Sequence, residues 1–145
     1  MTDGLPRSRR VVLDTDVFSL LYLRTKTGSD DRLDGWRAVL TGVTVVIATQ
    51  TTAEILSGAA LAGWGTARMQ RVNRVLDATP TAPVTEDVVQ SFIQLRVACQ
   101  RAGHALSAKI HSGDPWIAAT AIAIDAALLS VDKIYDGATG LSLIR

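Results

Sequence analysis

Short runs of β-branched and aliphatic residues alternate with stretches of helical periodicity along almost the whole chain, and this alternation restricts the possible folds more than any other feature. Parallel strands are joined by crossovers of a dozen or more residues, usually helices. Such a pattern therefore implies a central parallel sheet covered on both faces, an α/β fold. Strands are expected at Val11–Leu13, Val43–Ala48, Leu128–Val131 and Leu141–Ile144, with a short extended piece bracketed by Pro80 and Pro83. Helices are expected over Val17–Arg24, Arg32–Leu40, Thr51–Leu61, Thr66–Leu76, Glu86–Gln100 and Pro115–Ala127. The fifth of these carries an apolar stripe of Val88, Val89, Phe92, Leu95 and Cys99, with Thr85 as its cap and Gly103 as its stop.

A chain of 145 residues suits one domain, expected over residues 11–145, preceded by a polar and basic arm over residues 1–10 that includes Arg7, Arg9 and Arg10. The formal net charge of +1 excludes a strongly basic nucleic-acid binder, so any contact with such a polymer must come from local patches. Nearly half the residues are apolar and mean hydropathy is +0.22, which points to an apolar surface covered by a partner or a second copy. Cys99 is the single cysteine, so no internal disulfide forms and a reducing cytoplasmic setting fits. Asp14 and Asp16 interrupt the first apolar stretch, so no secretory signal is expected. The longest apolar run, Ile117 to Val131, contains Asp125 and falls short of the ~20 residues of a membrane span.

Functional groups in parallel α/β sheets gather at the carboxyl ends of the strands. Asp14 follows the first strand, Glu54 lies one helical turn past the second, and Asp132 follows the strand ending at Val131. Asp114 stands at a helix start. Each has a plain structural explanation. Asp14 or Asp16 can cap the next helix, and Thr51-Thr52-Ala53-Glu54 matches a capping box. Asp114-Pro115 reads as an N-cap followed by proline, and Asp132 can cap the turn Lys133–Tyr135. Capping, however, does not require four acids to open onto one edge of one sheet. Their repulsion calls for protons or a cation, and Mg²⁺ or Mn²⁺ prefers carboxylate and water oxygens. Such an ion activates water and stabilises charge on a phosphodiester.

Other polar groups are weaker candidates. His104 and His111 fall in an expected loop. Trp36, Trp64 and Trp116 read as packing residues, and Cys99 as core. Arg68, Arg71 and Arg74 share one broad helical face, either solvated or meeting RNA or a partner. Ser19 and Ser130 have no matching base at recognisable spacing, which argues against a serine nucleophile.

With these residues in view, the sequence resembles the PIN-domain family, especially the VapC-like toxins of bacterial type II toxin–antitoxin pairs. Val11-Val12-Leu13-Asp14-Thr15-Asp16-Val17 is similar to the family's opening strand and first acidic motif, and Thr52-Ala53-Glu54-Ile55-Leu56 to its second. Gly113-Asp114-Pro115-Trp116-Ile117-Ala118-Ala119-Thr120-Ala121 resembles the third and most specific motif. Leu128-Leu129-Ser130-Val131-Asp132-Lys133-Ile134-Tyr135, followed by Gly140-Leu141, resembles the closing segment. The resemblance implies a three-layer α/β/α fold and a Mg²⁺- or Mn²⁺-dependent endoribonuclease. It also implies a homodimer and a small antitoxin that blocks the site. It assigns Asp14, Glu54, Asp114 and Asp132 to the acidic, metal-binding site, with Thr15 and Ser130 as small polar neighbours. Val131 departs from the polar residue or arginine frequent in the family. Asp16 stands where asparagine or serine is frequent, placing a fifth carboxylate near the site.

Two other readings compete. Asp14-Thr15-Asp16-Val17 after an apolar strand also resembles the nucleophile motif of haloacid dehalogenase-type phosphatases, with Asp14 as nucleophile and Asp16 as acid and base. Thr49, Lys109 and Gly113-Asp114 would then supply the later motifs, but Ala118 and Ala119 stand where a second metal acid is needed, and Glu54 and Asp132 have no role. A non-catalytic α/β interaction module is the other alternative, since a fold alone does not supply a function.

Overall fold

The structure, a computed structural model, describes residues 9–24, 30–108 and 113–145. Most of the expected N-terminal arm, His111 and Lys109 lie outside the described residues. The elements in chain order are β1 (Arg10–Leu13), α1 (Thr15–Phe18) continued by a π turn (Ser19–Leu23), α2 (Asp31–Val39), β2 (Thr44–Ala48), α3 (Thr49–Leu61) and α4 (Thr66–Asp77). They continue with β3 (Thr81–Ala82), α5 (Glu86–Ala102), α6 (Asp114–Ala123), β4 (Ala127–Leu129) and β5 (Leu143–Ile144), with single 3₁₀ turns at Ala105–Ser107 and Lys133–Tyr135.

The strands form one five-stranded sheet in the order β3-β2-β1-β4-β5, and every pairing is parallel. Val12 pairs with Val46 on one side and Leu128 on the other, so β1 is the central strand. Side chains alternate across the sheet, and the core divides accordingly. Val12, Val46, Ala48 and Leu128 pack under α5 and α6 with Leu95, Cys99, Ile117, Ala118 and Ala121. Val11, Leu13, Ile47 and Leu129 pack under the remaining helices with Val17, Phe18, Trp36, Ile55, Val72 and Leu76. This is the expected three-layer α/β/α arrangement with a central parallel sheet.

Among the element boundaries that depart from expectation, two have plain local reasons. The helix expected to reach Ala127 ends at Ala123, because Asp125 takes a left-handed φ of 55° and turns the chain into β4. The helix expected over Val17–Arg24 starts earlier, at Thr15, and then loosens into the π turn, closed by Arg24 N–H donating to the Ser19 carbonyl at 3.0 Å. Single π turns recur beside functional sites, where they redirect side chains. Here the turn brings Ser19, Leu23 and Arg24 to the wall of a cleft next to the end of β1. Elsewhere Thr85 caps α5 by accepting from Val88 N–H, and Gly103 ends it at φ 70°.

Candidate active site

In a sheet of this order, chain connections run outward in both directions from β1, so the gap between the carboxyl ends of β1 and β4 is the topological switch point. Asp14 directly follows β1 and Ser130 directly follows β4. The buried Ser130 hydroxyl donates to Asp14 Oδ2 at 2.7 Å, spanning that gap. Asp14 Oδ1 accepts from the Thr15 N–H at 2.9 Å, so the aspartate also caps α1, as its plain structural reading anticipates. Ser130 Oγ in turn accepts from Asp132 N–H at 3.0 Å.

Glu54 is not part of a capping box. Helix α3 begins at Thr49, two residues before the expected start, with Ala48 at the N-cap position and no side-chain cap. Thr51 is fully buried, and its hydroxyl lies 3.0 Å from that of Thr15. Thr15 Oγ1 donates to Glu54 Oε1 at 3.2 Å, so Thr51 supplies the proton in the Thr51–Thr15 contact. One hydroxyl chain, Thr51 to Thr15 to Glu54, thus ties the second acidic segment to the residue directly after Asp14. Glu54 Oε1 also lies 3.8 Å from where a Cβ on Gly113 would stand, which sets it against the start of α6.

Asp114 likewise is not the N-cap of its helix. It is the first residue of α6, Gly113 holds the cap position, and no side-chain capping bond forms there. Its Oδ1 instead accepts from the Tyr135 hydroxyl at 3.3 Å, and the same hydroxyl reaches Asp14 Oδ1 at 3.5 Å. Tyr135 is almost wholly buried and holds one proton between two carboxylates. Asp132 follows its plain reading: its side chain accepts from Ile134 N–H and caps the 3₁₀ turn that carries Tyr135.

Electrostatics separate these acids. Burial pushes the Asp14 carboxyl above the ordinary range; the Ser130 and Thr15 bonds oppose the rise, and the charges of Asp114 and Asp16 add to it. Glu54 is also raised, first by desolvation of its carboxyl end in the cleft, then by Asp14, Asp114 and Asp16, with the Thr15 bond opposing. Burial likewise raises Tyr135, and nearby Asp14, Asp114 and Asp132 reinforce the effect, so the phenol stays a proton donor. Asp14, Glu54, Asp114 and Asp16 therefore share one field, whereas Asp132 acts on it through Tyr135.

Sequence reasoning missed Thr51 and Tyr135 as site-forming groups. Tyr135 lies inside the closing motif, but only the β1–β4 pairing reveals that it faces two acids. Thr51 is masked by the capping-box form of Thr51-Thr52-Ala53-Glu54. His104 is committed to loop structure: Nδ1 accepts from Leu106 N–H and Nε2 meets the Asp136 carbonyl at 2.6 Å. Trp36 is core, and Trp116 stacks on Phe92 with centroids 3.8 Å apart. For the phosphatase alternative, the Thr49 hydroxyl is spent on the Ala82 carbonyl at 2.9 Å and Lys109 lies outside the described residues.

Among the described residues, no three acidic, histidine or cysteine side chains close into a ready-made metal cage. The donors are all oxygens. Mg²⁺ characteristically takes one or two carboxylates and keeps several waters, so this set fits such a hydrated ion better than a fully enclosed one. Among the described residues no helix is long and apolar enough to cross a membrane.

A doubly covered parallel sheet with acids gathered at its switch point is the class that fold and site define together. Comparison with known proteins makes it specific: the PIN domain family matches residues 11–140, and the chain belongs to that family. Its fold is that of VapC-like PIN proteins. It is similar to VapBC2 from Rickettsia felis bound to a promoter DNA fragment, at 17% identity and TM-score 0.73 over 93% of this chain and 97% of that one. It is similar to FitAcB from Neisseria gonorrhoeae at 23% identity and TM-score 0.72, over 93% and 96% of the two chains. VapBC-5 from Mycobacterium tuberculosis, a member of the VapBC family of toxin–antitoxin systems, shares 27% identity at TM-score 0.63 over 94% and 98%. Among curated proteins, no sequence matches significantly.

Proposed function

We propose that this protein is the toxin of a bacterial toxin–antitoxin pair, a metal-dependent endoribonuclease formed by one domain over residues 11–145. The observation that carries the reading is the joining of Asp14, Glu54 and Asp114 into one electrostatic field at the switch point, in place of the capping roles open to Glu54 and Asp114. Capping alone would leave these acids apart. Burial first, and the charges of the neighbouring acids after it, raise the pKa of Asp14 and Glu54, and such perturbed carboxyls cluster at functional sites.

Asp14, Glu54 and Asp114 would hold Mg²⁺ or Mn²⁺, with Asp132 as the outlying fourth acid. When bound, the ion supplies Lewis-acid stabilisation of phosphodiester charge and activation of water. Ser130 and the Thr15 amide fix the Asp14 carboxylate by hydrogen bonds to its two oxygens. Thr15 orients Glu54, and Tyr135 keeps its proton on the Asp14–Asp114 side of the site. Asp16, exposed at the first turn of α1, adds negative charge beside Asp14 and Glu54. The apolar composition and the toxin–antitoxin character of the similar structures support a homodimer blocked by a small antitoxin, in the cytoplasm.

Purified protein free of antitoxin should cut single-stranded or looped RNA with Mg²⁺ or Mn²⁺ and stop in chelator. Cleavage that is unchanged by chelator would count against the metal site. Asp114→Asn should remain folded, because the isosteric amide keeps an acceptor oxygen for the Tyr135 hydroxyl, and should lose roughly 10²-fold or more in activity. Wild-type rates in that variant would remove Asp114 from the site.

A further inference from the structure

The arginines of α4 recur every third residue, and the structure separates them. Arg68 and Arg71 line a cleft of about 700 Å³, whereas Arg74 lies outside its wall. Thr15 and Glu54 line the same cleft, so it runs from the acidic cluster to the α4 guanidiniums, and Arg24 at the end of the π turn adds a third positive charge. Trp64 completes this wall, with the Arg68 guanidinium carbon 3.5 Å from the indole centroid. A guanidinium laid on an indole is held in plane, and its in-plane N–H groups form the fork that matches a phosphate. Arg71 is steadied by a 3.5 Å contact from Nη2 to the Leu23 carbonyl of the π turn.

We propose that this cleft is the strand groove of the enzyme, in which Arg68, oriented by Trp64, and Arg71 hold phosphates of single-stranded RNA beside the phosphodiester presented to Asp14, Glu54 and Asp114. The inference rests on the ribonuclease reading above. The charge layout favours a nucleic acid: acids at the reacting end repel phosphate, and a row of guanidiniums displaced along the cleft supplies the attraction that keeps a polyanion in place. The protein's net charge of +1 cannot provide this attraction globally, so it must be local. The apolar part of the wall, including Ile55, offers faces on which the bases of a single strand can pack. Arg68 and Arg71 are positioning residues here, since they hold phosphates away from the reacting bond, and Trp64 acts through Arg68.

The test compares Arg68→Gln, Arg71→Gln, Arg68→Lys and Trp64→Phe with Arg74→Gln as the control outside the cleft. Cleavage kinetics in Mg²⁺ would be paired with anisotropy binding of an unstructured RNA of about 12 nucleotides in chelator, across salt. Arg68→Gln and Arg71→Gln should each raise KM and Kd about tenfold while kcat stays within about threefold, because uniform binding is lost. Each should also reduce the slope of log affinity against log salt by about 0.7, the value for one single-strand phosphate contact. Arg68→Lys keeps the charge and the slope but not the fork, so its KM should still rise. Trp64→Phe should act in the same direction as Arg68→Lys, and Arg74→Gln should change neither quantity. If wild type cuts RNA and the cleft variants match it in KM and salt slope, the groove assignment fails and the ribonuclease reading stands. If the cleft variants keep RNA binding but escape inhibition by the antitoxin, the cleft holds a protein segment and the groove assignment is likewise overturned. A wild-type protein that neither binds nor cuts RNA overturns both.

Discussion

Asp14, Glu54 and Tyr135 show what each residue gives up to form this site. Glu54 has no capping bond to lose, so replacing its carboxylate with the isosteric amide removes charge while keeping the acceptor for Thr15. Glu54→Gln should therefore lower RNA cleavage by roughly 10²-fold or more. It should also raise the Tm of the metal-free protein slightly, by about 1–3 °C, the increase being small because the side chain is solvent-reached and its charge is screened. Circular dichroism melts and single-turnover cleavage check the two halves separately. A lower Tm would mean that Glu54 serves the fold. Ser130 is the complementary case. Ser130→Ala removes the 2.7 Å donor to a buried carboxylate and the acceptor for Asp132 N–H. It should cost about 1–3 kcal/mol in urea unfolding and leave measurable cleavage, since the hydroxyl orients Asp14 and does not attack phosphorus. Complete loss of cleavage in a folded Ser130→Ala would make the serine part of the chemistry.

At the scale of elements, Thr85 offers a prediction that separates stability from activity. Its hydroxyl accepts from Val88 N–H at the start of α5, on the sheet face away from the arginine cleft. Thr85→Ala should lower stability by about 1 kcal/mol, read as a drop in the urea midpoint, with unchanged cleavage by the remaining folded protein. Strand positions were legible in the sequence because a strand buried on both faces must be apolar at every position, as Val11-Val12-Leu13 and Leu128-Leu129 are. The end of α6 was not. Ile122, Ala123 and Ile124 continue an apolar run that helix and strand share, and only the left-handed Asp125 separates them. The start of α3 was hidden by a genuine capping-box pattern whose threonine turns inward to Thr15 instead. Of the candidate site, the position of the acids at strand ends was legible; their tethers were not, because Thr51 and Tyr135 meet Asp14 and its neighbours only through pairings of distant segments, as in the 121-residue separation of Tyr135 from Asp14.

For the whole molecule, the raised acids link stability to pH and, on the proposed reading, to metal. In the fold Asp14 and Glu54 hold their protons more tightly than they do in the unfolded chain, where the ordinary values are 3.8 and 4.5. Their contribution to stability is thus complete below those values and is lost as pH rises through the raised ones, so at neutral pH the metal-free site weakens the fold. A double variant, Asp114→Asn with Glu54→Gln, relieves most of this field and supplies the reference. The Tm of metal-free wild type relative to that variant should fall as pH rises from the ordinary carboxylate range toward neutrality, while groups common to both proteins cancel in the difference. Adding Mg²⁺ should raise the wild-type Tm, and more at pH 8 than at pH 5, because protons and metal compete for the same oxygens. Saturation at about 100 times Kd would stabilise by about 2.7 kcal/mol, enough to resolve by calorimetry, with little shift in the double variant. A Tm difference that is flat with pH would show that Glu54 is not held at a raised pKa in the fold. A Mg²⁺ shift equal in wild type and double variant would place the ion elsewhere and remove the acidic cluster as its site.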